Sequence, residues 1–227
     1  APLIVQPMPF DPVETLRVVS LVSTSPYILI VRADSPARDI AGFHAMVRER
    51  GASLNYGSAG NGTPFHLGAE LYKLKMGVDL THIAYRGTGP ALVALLAGEV
   101  DMLFCDVPGA STHLRSGAMR PLATMVKDRI AQFPNVPTMA ESDPRLADYD
   151  VYTWAMLVAP KATPDGPVMR MNEAVLRAAR ASDIAARFTE LGFDYVGSTP
   201  ADGDARLARE KAKWQEVIRA ANIRVDL

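Results

Sequence analysis

The sequence predicts an α/β protein with mostly parallel sheets, because short runs rich in Val and Ile alternate with stretches of helical period. The chain has 227 residues, of which 48% are hydrophobic and 22% charged, a globular composition that allows one large or two small cores. Its 24 Lys and Arg nearly balance its 25 Asp and Glu. The basic residues are scattered, which argues against nucleic acid or an anionic membrane surface as a partner.

The alternation of strands and helices can be followed from residue 27 to residue 125. The run YILIVRA predicts a buried strand. Ser35 and Pro36 are expected as the N-cap and first residue of a helix that ends at Gly51. The strand ASLNYG then leads through a loop of small residues into the next helix. The pattern continues as the strand LTHIAY, the helix GPALVALLAG, the strand VDMLFC, the helix PGASTHLRSG and the strand MRPLATM.

The regular alternation stops between residues 126 and 150, where three prolines and mixed charges predict an irregular surface connection. A strong strand, VYTWAMLVA, follows this connection. Two helices come next and, after FDYVG, a last long helix is expected to begin at Thr199 and Pro200.

A glycine-rich loop follows the strand ASLNYG in the stretch NYGSAGNGTPFH. Gly57, Gly60 and Gly62 do not match a dinucleotide fingerprint, and Thr63 stands where a phosphate-binding P-loop needs lysine. Ser58 follows Gly57 directly, so the loop is not a nucleophile elbow. What remains is a strand, a small-residue loop and a helix N-terminus, which favour a carboxylate or small oxyanion. The alternative is that the glycines only shape a tight turn and that Thr63 is a structural N-cap.

A second loop of the same design, YRGTGP, precedes the helix GPALVALLAG. Thr88 or a neighbour is expected to cap that helix, with Pro90 near its first position. Arg86 can add a charge-assisted contact to a carboxylate, or it can be a solvated loop side chain. Because both loops follow strands of one sheet, residues 58–63 and 86–88 are expected to converge at its carboxyl edge, where open α/β folds bind ligands.

Two blocks, SAGNGT..H and YRGTGPAL, stand within a series of segments that runs from residue 9 to the C-terminus. The segments are FDPVETLRVVSLVSTSPYILIVRADSPA, LNYGSAGNGTPFHLGAELYK, HIAYRGTGPALVALLAGEVDMLFCDVPGA, GAMRPLA, NVPTMAES and TWAMLVAPKATP. In this order they resemble the Bug receptors, the solute-binding proteins of tripartite tricarboxylate transporters. The two blocks are distinctive of that family.

The resemblance implies a periplasmic receptor with the two-lobed fold of type II periplasmic binding proteins, in which mostly parallel sheets are flanked by helices. Such receptors close like a flytrap on small carboxylated solutes in an interlobe cleft and deliver them to membrane transporter subunits, without catalysis. Together with the irregular break before VYTWAMLVA, the resemblance predicts a complete lobe 2 at residues 26–152. Residues 1–25 and 153–227 are then expected to form part of lobe 1.

The chain departs from the family pattern at two places. Members usually begin with a strand and a Pro- and Gly-rich loop that helps to hold the ligand carboxylate. This chain starts after that point, so lobe 1 is expected to be incomplete, the earlier segment being removed, omitted or absent. The opening APLIVQPMPF likewise predicts a signal peptide that is absent or already removed. In LFCDVPGA, Cys105 stands where relatives commonly have Asp, and Asp106 follows it.

The predicted ligand site draws on both loops and on a few residues beyond them. His66 follows the family pattern GNGT..H in the first turn of its helix, where it can orient the loop or serve as a packing histidine. Trp154 can line the cleft or be a core aromatic residue. The full set is Ser58, Gly60, Asn61, Gly62, Thr63, His66, Tyr85, Arg86, Gly87, Thr88, Asp106 and Trp154.

No catalytic residue, metal or cofactor is predicted. None of the four histidines has a metal-ligand spacing with another. Cys105 has no evident base partner, which is typical of a buried structural thiol.

These observations predict a receptor for a small carboxylated solute, namely a dicarboxylate, tricarboxylate, amino acid or aromatic acid. A monomer is expected, with the solute and the transporter subunits as partners, no nucleic acid, and no membrane insertion, because the apolar runs are too short. One alternative is a ligand-sensing module that signals rather than transports, although no basic helix-turn-helix segment is present. Another is an α/β hydrolase or transferase, for which no nucleophile, base and orienting group stand at a recognisable spacing.

Overall fold

The computed structural model describes residues 11–180 and 182–223. Residues 1–10, Ala181 and 224–227, which the sequence assigns to the partial lobe, lie outside the described residues. Among the helices that the structure describes, none combines the length and the apolar character needed to cross a membrane.

The chain is divided by its internal contacts into two compact units. One unit is Pro26–Tyr152. The other joins the described residues up to Ser25 with those from Thr153 onward. The chain therefore passes between the units twice, first within a long strand and then at the start of a later one.

The unit Pro26–Tyr152 contains a sheet of mixed direction. Its strands are β1 (Leu16–Arg32), which begins in the other unit, β2 (Asn55–Ser58), β3 (Thr81–Ala84), β4 (Met102–Asp106) and β5 (Met119–Thr124). Their order is β3-β2-β4-β1-β5, and β2 is parallel to β3 and β4. The predicted α/β class is confirmed, but β1 runs antiparallel to both β4 and β5. The reason is that β1 enters at the edge where β4 ends, as the pairing of Tyr27 with Asp106 shows.

Helices cover this sheet and connect its strands. They are α2 (Ile40–Arg50), α3 (Pro64–Met76), α4 (Thr88–Ala97), α5 (Val107–Arg115) and the short α6 (Met139–Ser142). The expected start of α2 at Ser35 and Pro36 is wrong, because Asp39 is the N-cap and accepts the N–H of Gly42 at 2.7 Å. The preceding turn is instead held by the guanidinium of Arg120, which donates to the carbonyl oxygens of Ala33, Ser35 and Ala37.

The core between α3 and the sheet is aromatic. The rings of Tyr56 and Tyr72 each lie about 6 Å from that of Phe104 on β4, at 6.1 and 5.8 Å between centroids, and all three are fully buried. Tyr149, also fully buried, donates from its hydroxyl to the carbonyl oxygen of Gly68 on α3 at 2.7 Å. This bond ties the irregular connection before residue 150 to α3, so that the connection contributes to the core.

The second unit has three strand segments and four helices among its described residues. Beside the first part of β1 they are β6 (Tyr152–Pro160), β7 (Asp194–Tyr195), α1 (Pro12–Thr15), α7 (Asp165–Ala179), α8 (Ser182–Glu190) and α9 (Pro200–Ala220). Both β6 and β7 pair with β1. The predicted start of α9 is confirmed, because Thr199 is its N-cap and accepts the N–H of Asp202 at 3.2 Å. The helix packs closely on β1, since an added Cβ at Gly203 would lie 2.4 Å from Val18 Cγ1.

Candidate ligand site

The loops after β2 and β3 lie side by side at the carboxyl edge of the sheet. The N–H of Tyr85 donates to the carbonyl oxygen of Ser58 at 2.9 Å, and that of Gly87 donates to the carbonyl oxygen of Ala59 at 3.2 Å. These two bonds continue the parallel pairing of β2 with β3 beyond the last strand residues. The structure thus brings the two glycine-rich segments of the sequence together.

The start of α5 adjoins the same edge. Asp106 is the N-cap of α5, and its carboxylate accepts the N–H of Gly109 at 3.0 Å. An added Cβ at Gly109 would lie only 2.7 Å from Cγ2 of Thr88, so the first turns of α4 and α5 are in close approach. Asp106 therefore lies near the second loop with part of its carboxylate already engaged in capping.

The first loop uses several of its own polar groups. Ser58 Oγ accepts the N–H of Gly60 at 3.1 Å, and the N–H of Gly62 donates to Nδ1 of His66 at 3.0 Å. Thr63 stands at the N-cap position of α3, but its hydroxyl makes no capping bond and donates to the carbonyl oxygen of Gly60 at 2.7 Å. Thr63 is therefore the N-cap of α3 by position, as one of the two interpretations of the sequence expects, but its hydroxyl holds the loop and does not cap the helix.

Other donors at this edge are left over. Among the described residues, the N–H groups of Asn61, Phe65 and His66 have no hydrogen-bond partner, and neither do those of Thr88 and Gly89 at the start of α4. The N-cap of α4 is Gly87, one of the neighbours of Thr88, and it has no side chain to cap the helix. Two helices thus present unpaired N–H groups and the positive ends of their dipoles next to the joined loops.

Two charged side chains lie at this edge, the carboxylate of Asp106, which caps α5, and the guanidinium of Arg86. The side chains of Arg86 and Asn61 are exposed. No ion pair to Arg86 occurs within residues 11–180 and 182–223. A side chain with this freedom can turn toward an anion held at the loops.

A buried polar cluster lies directly behind the first loop. Nε2 of His82 on β3 is 2.6 Å from Ser58 Oγ, and the rings of His82 and His66 stack at 3.9 Å between centroids. Burial lowers the pKa of His82 to about 3 and also lowers the pKa of His66. Both imidazoles are therefore neutral at physiological pH.

Glu70 and Tyr56 complete this cluster. The buried carboxylate of Glu70 accepts the hydroxyl of Tyr56 at 2.6 Å and the ammonium of Lys73 at 2.9 Å. Burial raises the pKa of Tyr56 above its ordinary range. Sequence reasoning assigned no role to His82, Glu70 or Tyr56. The parallel register of β2 and β3 places His82 beside Tyr56, so the pairing of these two strands is the signal by which those two residues could have been found together.

The pair of Ser58 and His82 does not form a nucleophile. Ser58 is fully buried, and its Oγ already accepts the N–H of Gly60. No carboxylate bonds to His82 in the part of the chain that the structure describes, so a third, orienting group is missing. Nor do the described residues contain a group of three His, Cys, Asp or Glu side chains able to hold a metal ion.

The side chains of three further residues of the sequence analysis make no hydrogen bond to the joined loops among the described residues. The hydroxyl of Tyr85 donates to Glu99 at 3.3 Å, although its backbone N–H helps to join the loops. Trp154 lies on β6 and is half-buried within the other unit, and its place in a ligand site stays a prediction. Burial raises the pKa of the Cys105 thiol well above its ordinary value, which makes it a poor nucleophile.

The chain is similar in sequence and fold to known solute receptors. It is 30% identical over 212 residues to protein BugT of Bordetella pertussis, covering 93% of this chain and 64% of BugT. The structure of R. palustris Rpa4515 with adipate matches with a TM-score of 0.87 at 28% identity, covering 100% of this chain and 75% of that one. MatC (Rpa3494) from Rhodopseudomonas palustris with bound malate matches with a TM-score of 0.80 at 30% identity, covering 93% and 72%.

This chain is shorter than these proteins and spans about 54–64% of the length of BugT and two further curated relatives. The two-lobed type II fold class expected from the sequence is confirmed by the structural matches. The sequence pattern of the tripartite tricarboxylate transporter family receptors (TctC) matches residues 1–223. The chain therefore belongs to the tripartite tricarboxylate transporter receptor family, the family of the Bug proteins, whose members are solute-binding receptors and not enzymes.

Proposed function

We propose that this protein is a periplasmic receptor that binds a small dicarboxylate and passes it to the membrane subunits of a tripartite transporter. The proposed binding groups are the loops at residues 58–63 and 86–88. One carboxylate of the ligand would accept the free N–H groups at the starts of α3 and α4, with Arg86 as a mobile cationic contact.

The observation that carries the proposal is the joining of the two loops by the bonds from Tyr85 to Ser58 and from Gly87 to Ala59. This joining places two helix N-termini and their unpaired donors on one sheet edge. Oriented N–H groups and helix dipoles of this kind attract an anion without a fixed side-chain charge. Charge-assisted hydrogen bonds in such a site contribute roughly 1.5–3 kcal/mol each.

Family membership supports the choice of ligand class. The two similar structures hold adipate and malate, which are dicarboxylates of different length. Delivery to a transporter and a periplasmic location are proposed by analogy with the family's receptors.

Calorimetric titration of the full chain with adipate, malate and the neutral diamide of adipic acid tests this function. We expect a dicarboxylate to bind and the diamide to bind far more weakly, because the diamide lacks the negative charge that the helix dipoles attract. Arg86→Gln should lower the affinity by about tenfold, the loss of one charge-assisted contact.

The matched control is Arg38→Gln. Arg38 is an exposed arginine beyond the end of β1, at the opposite edge of the sheet. The substitution Arg38→Gln should leave the affinity for the dicarboxylate unchanged. A diamide that binds as tightly as adipate would overturn the proposal, as would equal effects of the two arginine substitutions.

A further inference from the structure

The stacked pair of His66 and His82 holds the first loop from behind. His66 accepts the N–H of Gly62 through Nδ1 at 3.0 Å, and His82 lies 2.6 Å from Ser58 Oγ through Nε2. Ser58 Oγ in turn accepts the N–H of Gly60 at 3.1 Å. Gly62 is thus bonded directly to His66, and Gly60 is connected to His82 through Ser58. The ring centroids of the two imidazoles are 3.9 Å apart.

The bond between Gly62 and His66 depends on one protonation state. A backbone N–H can only donate, so Nδ1 of His66 must keep its lone pair and cannot carry a proton. Gly62 has a φ of +71°, a left-handed conformation in which glycine is favoured. A proton on Nδ1 would set two donors against each other and force the peptide of Gly62 to turn, which displaces Asn61 and Thr63 beside it.

The charged and titratable groups around His66 come from α3, β2, β3 and the segment between α3 and β3. On α3 itself, Glu70 Oε1 lies 4.0 Å from Nε2 and favours the imidazolium, while the nearby Lys73 opposes it. From β3, the ring of His82 covers one face and adds a second group that resists a positive charge. From β2, the ring centroid of Tyr56 lies 6.4 Å from that of His66. Its hydroxyl is neutral and donates to Glu70. Asp79, which follows α3, forms an ion pair with Lys73 at 3.2 Å between Oδ1 and Nζ.

We propose that His66 is a positioning residue that holds the ligand loop in its binding shape only while its imidazole is neutral, so that acid releases the loop and the ligand with it. The release of the ligand rests on the proposed function, whereas the release of the loop does not. His82 supports His66 by stacking on it and by fixing Ser58.

Nuclear magnetic resonance on the ligand-free, 15N-labelled full chain tests the release of the loop without any assumption about the ligand. The Gly62 amide and the His66 ring are followed from pH 7.5 to pH 4.5. We expect the Gly62 amide to move with the same midpoint as the His66 ring. A Gly62 amide that stays unmoved while His66 titrates, or until the whole chain unfolds, overturns the proposal.

The affinity for adipate, measured over the same pH range, tests the release of the ligand. His66→Asn keeps an acceptor oxygen close to the position of Nδ1 but carries no titratable group. Each protein is compared with its own affinity at pH 7.5, and the titration of adipate itself, which affects both proteins alike, cancels when the two profiles are compared. Below the midpoint of His66, the wild type should lose up to about tenfold more affinity per pH unit than His66→Asn, as expected for one linked proton.

The matched control is His44→Gln, which removes another buried histidine of the same unit that is bonded to Tyr72 and Ser142 instead of the loop. Its affinity profile should follow that of the wild type. Coincident profiles for the wild type and His66→Asn overturn the proposal. If adipate does not bind any of these proteins, the proposed function fails, and the Gly62 resonance still decides the role of His66.

Discussion

The N–H of Gly87 donates to the carbonyl oxygen of Ala59 at 3.2 Å, and this bond anchors the loop before α4 to the loop before α3. Gly87 reaches this geometry with φ of +107° and ψ of 173°, a region that only glycine adopts without strain. Gly89, two residues later, has no such backbone requirement, and an added Cβ would meet nothing within 4 Å at either glycine. Alanine at either position creates no side-chain clash, so a difference between the two substitutions reports backbone strain alone.

Gly87→Ala should lower the free energy of unfolding by about 1–3 kcal/mol, because alanine at this φ and ψ is strained even though its Cβ has room. Gly89→Ala should be neutral or slightly stabilising, because alanine suits the first turn of α4 and reduces the freedom of the unfolded chain. Urea unfolding of both variants measures the difference. Equal stabilities would show that the loop relaxes around Gly87 without cost.

The hydroxyl of Thr63 tests how far the first loop depends on its internal bonds. Thr63→Val removes the donor to the Gly60 carbonyl with little change of shape, which should cost about 1 kcal/mol of stability. The Gly60 carbonyl then keeps only the N–H of Thr63 at 3.3 Å and the Ser58 hydroxyl at 3.1 Å, and the loosened loop disturbs the proposed site, so affinity for adipate should fall by about tenfold. Thr63→Ser restores the hydroxyl and should recover most of both losses. Calorimetry that finds valine and threonine equal would remove this bond from the account of the site.

Acid should destabilise the unit Pro26–Tyr152 through its buried histidines. Burial lowers the pKa of His44, of His66 and of His82. Below about pH 6.5 these histidines therefore bind protons in the unfolded chain but stay neutral in the folded chain. The three neutral histidines therefore contribute their whole stabilisation above about pH 6.5, and the free energy of unfolding falls as the pH drops toward their pKa values in the folded chain. The slope reaches up to about 1.4 kcal/mol per pH unit for each histidine.

Urea unfolding between pH 7.5 and pH 5 measures this slope. His44→Gln removes one of the three groups and should reduce the slope by up to one proton's share. A slope that is the same in this variant and in the wild type would mean that His44 takes up its proton equally well in the folded chain.

The sequence predicts the elements well where the signal is local. Runs of Val and Ile mark the strands, and Thr199 followed by Pro200 marks the start of α9, because a cap and the helix it begins are neighbours in the chain. The start of α2 is missed although its N-cap, Asp39, is a local signal, because the bonds that hold the preceding residues outside the helix come from a distant residue. Arg120 lies more than 80 residues after Ala33 and Ser35, and it occupies their carbonyl groups.

The candidate site divides in the same way. The two glycine-rich loops are visible in the sequence, and their adjacency follows from the rule that parallel strands end at one edge. The role of the Thr63 hydroxyl and the stacking of His66 on His82 are not visible. They depend on the φ of Gly60 and Gly62 and on the register between β2 and β3, which no local pattern sets.

Close packing in the second unit gives the last prediction. An added Cβ at Gly203 of α9 would lie 2.4 Å from Cγ1 and 3.0 Å from Cβ of Val18, a β-branched residue that cannot swing aside. Gly203→Ala should therefore cost about 1–3 kcal/mol by overpacking, although alanine is the better helix former. Gly166→Ala on α7 is the matched control, since its Cβ would meet only Arg170 Nη1 at 3.5 Å, and it should be neutral or stabilising. If urea unfolding finds both variants equally stable, α9 can move away from β1 at no cost, and the close contact at Val18 is not what holds the two together.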